Sequence, residues 1–403
     1  MAGPVRELDT AKGNGAASSS RTTSITSSSS PAVPSPLRMP VKQKMAVGFK
    51  SLLDSAKKLA IGSDEGSESE KKPAADVTEL FPKVAPAVDG DDCDRDCDSC
   101  VVNYPRGFKI DEEDVLYGFV KGWSTHVLVA TGKTDWVRDV ADEKGSVMQA
   151  IGNAKVAPSN GRLMLSASNI PTPHHTNDYS EPTTVLLLPA FAIVENVTPA
   201  TVPTLITAVI DRAPTNTSPL APLSLPRTIH APLPEPAPAE LKELTIRPCP
   251  HSALILLCSQ KTRDARCGQS APLLRKELER HLRPLGLFRD LDDERPGGVG
   301  IYFISHVGGH KYSANVMVYR RPNAFGIDDV ERAKEGVTLV VPKKKEGEEA
   351  KENLGAAQCI WLARIRPEDC ENLVKFTVLQ GKVVKPESQL RGGFDRSKGL
   401  FSW

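Results

Sequence analysis

The chain has 403 residues, a formal net charge of +1, eight cysteines and no apolar run approaching the length of a bilayer-spanning helix. The near-neutral balance excludes bulk electrostatic attraction to nucleic acid or to an anionic membrane surface, and the absence of a long apolar run excludes a transmembrane helix. Eight cysteines without a secretory leader imply a reducing compartment where thiols stay free or ligate metal, and Glu7 and Asp9 do not suit a transit peptide, so the expected location is cytoplasmic rather than mitochondrial.

Residues 1–78 are rich in Ser, Thr, Ala and Lys and read as a disordered tail. Within it, residues 43–61 place Met45, Phe49, Leu52, Leu53, Ala56 and Leu59 at helical spacing, opposite Lys44, Lys50, Lys57 and Lys58, the pattern of an amphipathic helix. The next conspicuous stretch is the acidic loop around Cys93, Cys97 and Cys100. Cys97-Asp-Ser-Cys100 has the form of a dithiol redox site, so a thiol-disulfide oxidoreductase would use Cys97 and Cys100. Yet no apolar strand precedes the pair, and the surrounding carboxylates raise thiol pKa values. A metal clip or a solvated acidic loop is the favoured reading.

Residues 79–212 read as an N-terminal α/β domain. Strands are expected at 124–130, 162–165 and 184–188, a helix starting at Asp135-Trp136, and a closing helix from Val202 to Ile210. His126, at a strand start, is expected to be structural, and His174-His175 to sit in a surface loop. Residues 213–240 contain eight prolines and read as an extended, partly polyproline II linker. The second domain spans 241–403, interrupted by a charged insertion at 343–355. After it, a strand is expected at 358–363 and a helix from Pro367, with Leu373, Val374 and Val378 on its buried face.

Four donor side chains stand out in the second domain. Leu254–Leu257 reads as a buried strand that delivers Cys258, and a helix starting at Ser270-Pro272 places Cys258 and Cys267 in one strand-to-helix loop. A strand over 300–304 ends near His306, and a strand over 315–319 leaves after His310, with a Gly308-Gly309 turn between the two histidines. Gaps of eight residues between the cysteines and 38 before the first histidine exclude a zinc finger. The Rieske order is also absent. Spacing alone gives a metal site and leaves the metal open, with a zinc-stabilised binding module as one reading.

The segments Cys258-Ser-Gln-Lys-Thr-Arg-Asp-Ala-Arg-Cys267-Gly, His306-Val-Gly-Gly-His310-Lys-Tyr-Ser-Ala-Asn-Val, Trp361-Leu-Ala-Arg-Ile-Arg-Pro and Leu390-Arg-Gly-Gly393 resemble the sucrase/ferredoxin-like family. The resemblance implies an α/β fold in which a C-terminal thioredoxin-like ferredoxin domain follows the N-terminal α/β domain and the long disordered N-terminus. It also implies a [2Fe-2S] cluster on Cys258, Cys267, His306 and His310. Imidazole in place of thiolate raises the reduction potential of such a cluster, and Arg263, Arg266 and Lys311, close by in sequence, would raise it further. No pair of carboxylates is nominated for the glycoside hydrolysis that the word "sucrase" suggests. The expected function is electron transfer or redox sensing, with an unidentified redox partner. Finally, Phe401-Ser402-Trp403 resembles the C-terminal tripeptide with which clients bind the cytosolic iron-sulfur targeting complex, the second expected partner.

Overall fold

Strands that are apolar at nearly every position must have both faces covered. The computed structural model, which describes residues 75–233, 242–330 and 352–403, arranges such strands in one mixed sheet of 13 strands. The helix expected at 43–61, all but the last few residues of the 1–78 tail, and most of the charged insertion lie outside the described residues.

The first half of the sheet is built from β1 (Thr125–Ala130), β2 (Leu163–Ser168), β3 (Thr183–Leu188) and β4 (Ala192–Val197). β1 runs parallel to β2, while β3 pairs antiparallel with β1 and β4 antiparallel with β3. β5 (Thr228–His230) and β6 (Glu243–Pro248) extend that edge through pairing of β6 with β4. The prolines of the linker therefore flank an edge strand, where a missing N–H costs little.

The second half repeats this order of connections. β7 (Ala253–Cys258) is parallel to β9 (Val299–Ile304), joined by a long helix over Ala265–Leu282 and by the short β8 (Phe288–Arg289). β10 (Val316–Arg320) is antiparallel to β7, and β11 (Gln358–Leu362) is antiparallel to β10. β12 (Leu390–Asp395) and β13 (Leu400–Phe401) finish the far edge. The halves meet where Ser168 on β2 pairs with Ile304 on β9. Side chains reinforce that seam: Asn169 Oδ1 accepts from the Phe303 amide at 2.7 Å, and Ser305 Oγ from the Ala167 amide at 3.1 Å.

Alternation along the strands assigns the cores. Ala253, Ile255 and Leu257 on β7 face a cluster with Leu274, Leu278 and Leu282 of the long helix. Val127, Val129, Val185 and Leu187 face a separate cluster under the first half. The opposite face is shared: Leu128, Leu186 and Leu188 join Leu254, Leu256, Met317, Tyr319 and Trp361 in one core. Each fully buried Leu contributes roughly 1.5–3 kcal/mol, so a core common to both halves resists their separation. Residues 75–120 adjoin the first half in sequence but run over the second: Tyr104 Oη donates to the Ile365 carbonyl at 2.7 Å, and the Cys97 amide donates to the Glu368 carbonyl at 3.0 Å.

Two local expectations need correction. The segment from Asp135 to Asp139 is not helical, because Trp136 is buried as the anchor of a loop, its indole N–H donating to Thr131 Oγ1 at 2.9 Å. The helix begins instead at Val147, with Ser146 capping it through the Gln149 amide. The long helix begins at Ala265, five residues before the expected start, because Asp264 caps it and Pro272 is tolerated within it. Cys267 therefore lies in the first helical turn rather than in a loop.

His126 is structural, as expected. It is fully buried between Tyr319 Oη (3.0 Å from Nδ1) and Ser166 Oγ (2.9 Å from Nε2), and burial pushes its pKa down to about 3. The unfolded state then binds more protons than the folded state between that value and the ordinary 6.5. Stability is complete above that window and falls with pH at up to about 1.4 kcal/mol per unit inside it. His126→Gln is expected to remove about one proton's worth of this slope between pH 6.5 and 5 in chemical denaturation. An unchanged slope would refute the assignment. His174 and His175 are exposed in the loop where they were expected.

Candidate metal centre

Strand ends bring the donors together. Cys258 is the last residue of β7 and is 1% exposed; Cys267, fully buried, opens the long helix. His306 and His310 follow the end of β9, the strand parallel to β7, so the loop after β9 emerges beside Cys258. Cys258 Sγ lies 3.9 Å from His306 Nδ1, and donor atoms of Cys258, Cys267 and His306 all lie within 4.8 Å of one another. His310 stands behind His306, with its Nδ1 3.5 Å from His306 Nε2 and the ring centroids 5.2 Å apart. Three of the four expected donors form a compact set, and the fourth is in contact with it.

Electrostatics divides the two thiols. Cys267 is drawn well down, to about 5, by hydrogen bonding from the Cys258 thiol, with further help from His306 and Ser313. Its position in the first turn of an 18-residue helix acts in the same sense, because the helix N-terminus favours negative charge. Cys258 moves the opposite way, pushed up by donating to Cys267 and by burial. The shared hydrogen bond thus favours ionisation of the pair on the Cys267 side.

The histidine turn is held from outside. The His306 amide donates to Gln260 Oε1 at 2.8 Å. Gly309 adopts φ +68°, and a Cβ there would lie 2.7 Å from Cζ of Arg391, so the glycine makes room for a guanidinium. Arg391 donates through Nη1 to the Gly308 carbonyl at 3.1 Å and to Asn315 Oδ1 at 2.7 Å; Asn315 Nδ2 in turn donates to the Gly309 carbonyl at 2.9 Å. Its guanidinium also lies over the Trp361 ring, 4.4 Å from the centroid. The segment around Arg391, chemically silent in the sequence, is the clamp of the turn.

Two of the three cations expected beside the ligands are offset by carboxylates. Lys311 is paired with Asp111 and Asp114, and Arg266 with Asp264; the Arg263 guanidinium donates to the Arg138 carbonyl at 3.4 Å. Arg391 is 6% exposed and, like Arg263, has no carboxylate partner among the described residues, so its charge is not offset by an ion pair. Burial pulls its pKa down to about 10, and it stays charged at neutral pH. Asp264, also overlooked, has its Oδ2 3.9 Å from His310 Nε2. That oxygen accepts from Arg266 Nη2 at 2.9 Å, so its contact with His310 is electrostatic rather than a hydrogen bond. An N-cap three residues before Cys267 was a readable signal for Asp264; Arg391, 81 residues beyond His310, was legible only as part of the family motif, with no role attached.

The remaining sequence candidates lie elsewhere. Cys97 and Cys100 are at the far part of the long helix, beside Glu277. Phe401 pairs with Phe394 as part of β13, and Ser402 is 1% exposed, its Oγ accepting from the Gly393 amide at 2.9 Å. Trp403 stacks on Trp123 with centroids 4.3 Å apart. No helix among the described residues is long and apolar enough to cross a membrane.

Comparison with known proteins places this geometry in context. The profile of the sucrase/ferredoxin-like family matches residues 116–392. Actin patches distal protein 1 of Saccharomyces cerevisiae is 28% identical over 289 residues, which cover 65% of this chain and 83% of that protein. Altered inheritance of mitochondria protein 32 of Clavispora lusitaniae is 28% identical over 135 residues, 34% of this chain and 33% of the relative. Its Debaryomyces hansenii counterpart is 30% identical over 132 residues, 33% of each. The chain thus matches about a third of the length of these last two. No solved structure matches it.

Proposed function

This chain belongs to the sucrase/ferredoxin-like family, and on that premise we propose that Cys258, Cys267, His306 and His310 hold a [2Fe-2S] cluster with which it transfers electrons or senses redox state. The observation that carries this reading is the convergence of two buried thiols and two imidazoles from the ends of two parallel strands. The donor set fits the group: thiolate and imidazole are ligands of iron-sulfur centres, and one thiol is already inclined to ionise. The order of strands β9-β7-β10-β11, with one helix between the parallel pair and another after β11, supports a thioredoxin-like ferredoxin unit in the second half.

When bound, such a cluster stores and returns single electrons, at a higher potential than with four thiolates because it carries less negative charge. The protein's own residues set access and orientation. Both sulfurs are buried, whereas the His310 side chain is 41% exposed, so the histidine edge is the side a redox partner would approach. Asp264 places a negative charge 3.9 Å from the outer nitrogen of His310, and Arg391 keeps the turn in place. The cytoplasmic location proposed with it rests on the chain's cysteine usage and on Glu7 and Asp9, not on the cluster. Docking to the iron-sulfur targeting machinery through Phe401, Ser402 and Trp403 would require this segment to unpair from β12 and leave Trp123.

The test is composition. Purified anaerobically, the full chain is expected to be red-brown, with two irons and two acid-labile sulfides per chain, the makeup of a [2Fe-2S] centre. A colourless protein that takes up zinc alone at these ligands would overturn the reading.

A further inference from the structure

The long helix carries a glutamate on its buried face. Glu277 is fully buried between Leu274 and Leu278, and its Oε2 has no hydrogen-bond partner. Burying a carboxylate costs several kcal/mol unless it is fully paired. Here only Oε1 is engaged, by the Arg280 guanidinium, whose Nε donates at 2.8 Å and whose side chain is 34% exposed; its Nη2 also donates to Cys97 Sγ at 3.4 Å and lies 3.0 Å from His281 Nε2, so a cationic group already stands among these donors. One helical turn beyond Glu277, His281 brings Nε2 to 3.4 Å from the same Oε1. Across from them sits Cys97, 8% exposed and fixed by its amide to the Glu368 carbonyl. Donor atoms of Cys97, Glu277 and His281 all lie within 4.8 Å of one another.

We propose that Cys97, Glu277 and His281, completed by Cys100, form a second metal site for a zinc-class divalent cation, separate from the cluster site. The donor types suit zinc, which takes thiolate, imidazole and carboxylate oxygen in tetrahedral sets, and a Cys-x-x-Cys pair is a common half of such a set. The Cys100 thiol neighbours the same Glu277 carboxylate. To ligate, it gives up its hydrogen bond to the Val102 carbonyl at 3.2 Å and exchanges its contact with Glu277 for a shared ion. An ion here takes the place of the Arg280 guanidinium among Cys97, Glu277 and His281 and engages the orphaned Oε2, while Arg280, already 34% exposed, turns outward to solvent. Binding releases the thiol protons of Cys97 and Cys100, and the five aspartates of residues 91–98 raise the local cation concentration. The consequence is structural: the acidic loop is clipped to the helix whose first turn carries Cys267.

The full chain, purified without chelator, is expected to carry about one zinc in addition to its iron. Cys97→Ser and His281→Ala should each lower zinc content at least tenfold. Cys267→Ser, which removes a ligand from the other site, should leave zinc unchanged, so that failure of the cluster reading and failure of this one can be told apart. Should either first variant fold poorly, cobalt added to metal-depleted wild-type protein gives a second readout. A thiolate-to-cobalt charge-transfer band supports the site. Zinc content equal in wild type, Cys97→Ser and His281→Ala, or a protein with neither zinc nor a cobalt band, overturns it.

Discussion

Cys267→Ser is expected to give a folded, colourless protein whose iron content is at least about tenfold below wild type. The change replaces a soft donor by a hard hydroxyl at the one ligand whose ionisation the fold itself promotes, through the helix N-terminus and the hydrogen bond from Cys258. The fold should tolerate it. The site already offers Ser313 Oγ, 3.9 Å from the sulfur, and Ser270 Oγ, 3.2 Å from Ser313 Oγ, so a hydroxyl there finds partners and costs on the order of 1 kcal/mol. Iron analysis together with thermal unfolding separates the two effects. Wild-type iron in the variant would remove Cys267 from the ligand set, and with it the present assignment of the centre.

Arg391→Ala is expected to cost about 3–4 kcal/mol of stability and to shorten the lifetime of the loaded centre. Truncation leaves a cavity beneath Trp361 and strips donors from the Gly308 carbonyl and Asn315 Oδ1, two losses that add to the missing packing. Without the guanidinium nothing fills the space that Gly309 leaves open, and the turn can relax away from Cys258. Arg391→Lys keeps the charge but not the planar fork or the stacking; it should recover less than half of the lost stability. Denaturant titration of the three proteins decides the matter. A variant within about 1 kcal/mol of wild type would show that the turn stands without its clamp.

Much of the chain was legible because strands buried on both faces announce themselves. Leu254–Leu257, Gly300–Ile304 and Thr184–Leu188 are continuous apolar runs, and each is a strand. Gly308-Gly309 excluded a helix between the histidines, and the structure turns there with both glycines at positive φ. Errors fell where a local signal competed with a tertiary one. Pro272 suggested a helix start, but the cap at Asp264 acts earlier and the helix accommodates the proline. Asp135-Trp136 read as a helix start, yet Trp136 is buried in the cluster with Val127, Val129, Val185 and Leu187.

The amino-acid sequence by itself determined which residues could ligate metal, since thiols and imidazoles are few and their strand-end positions follow from apolar runs and glycine turns. Only the tertiary structure decided how these groups interact. It put a helix terminus against Cys267 and Asp264 beside His310, and it drew Arg391 from the far edge of the sheet to the histidine turn. It also joined the two halves into one sheet and brought Cys97 to Glu277 and His281. Donor identity is a property of single residues and can be read one at a time. Charge, burial and clamping are properties of neighbours, and these neighbours lie tens to hundreds of residues apart along the chain.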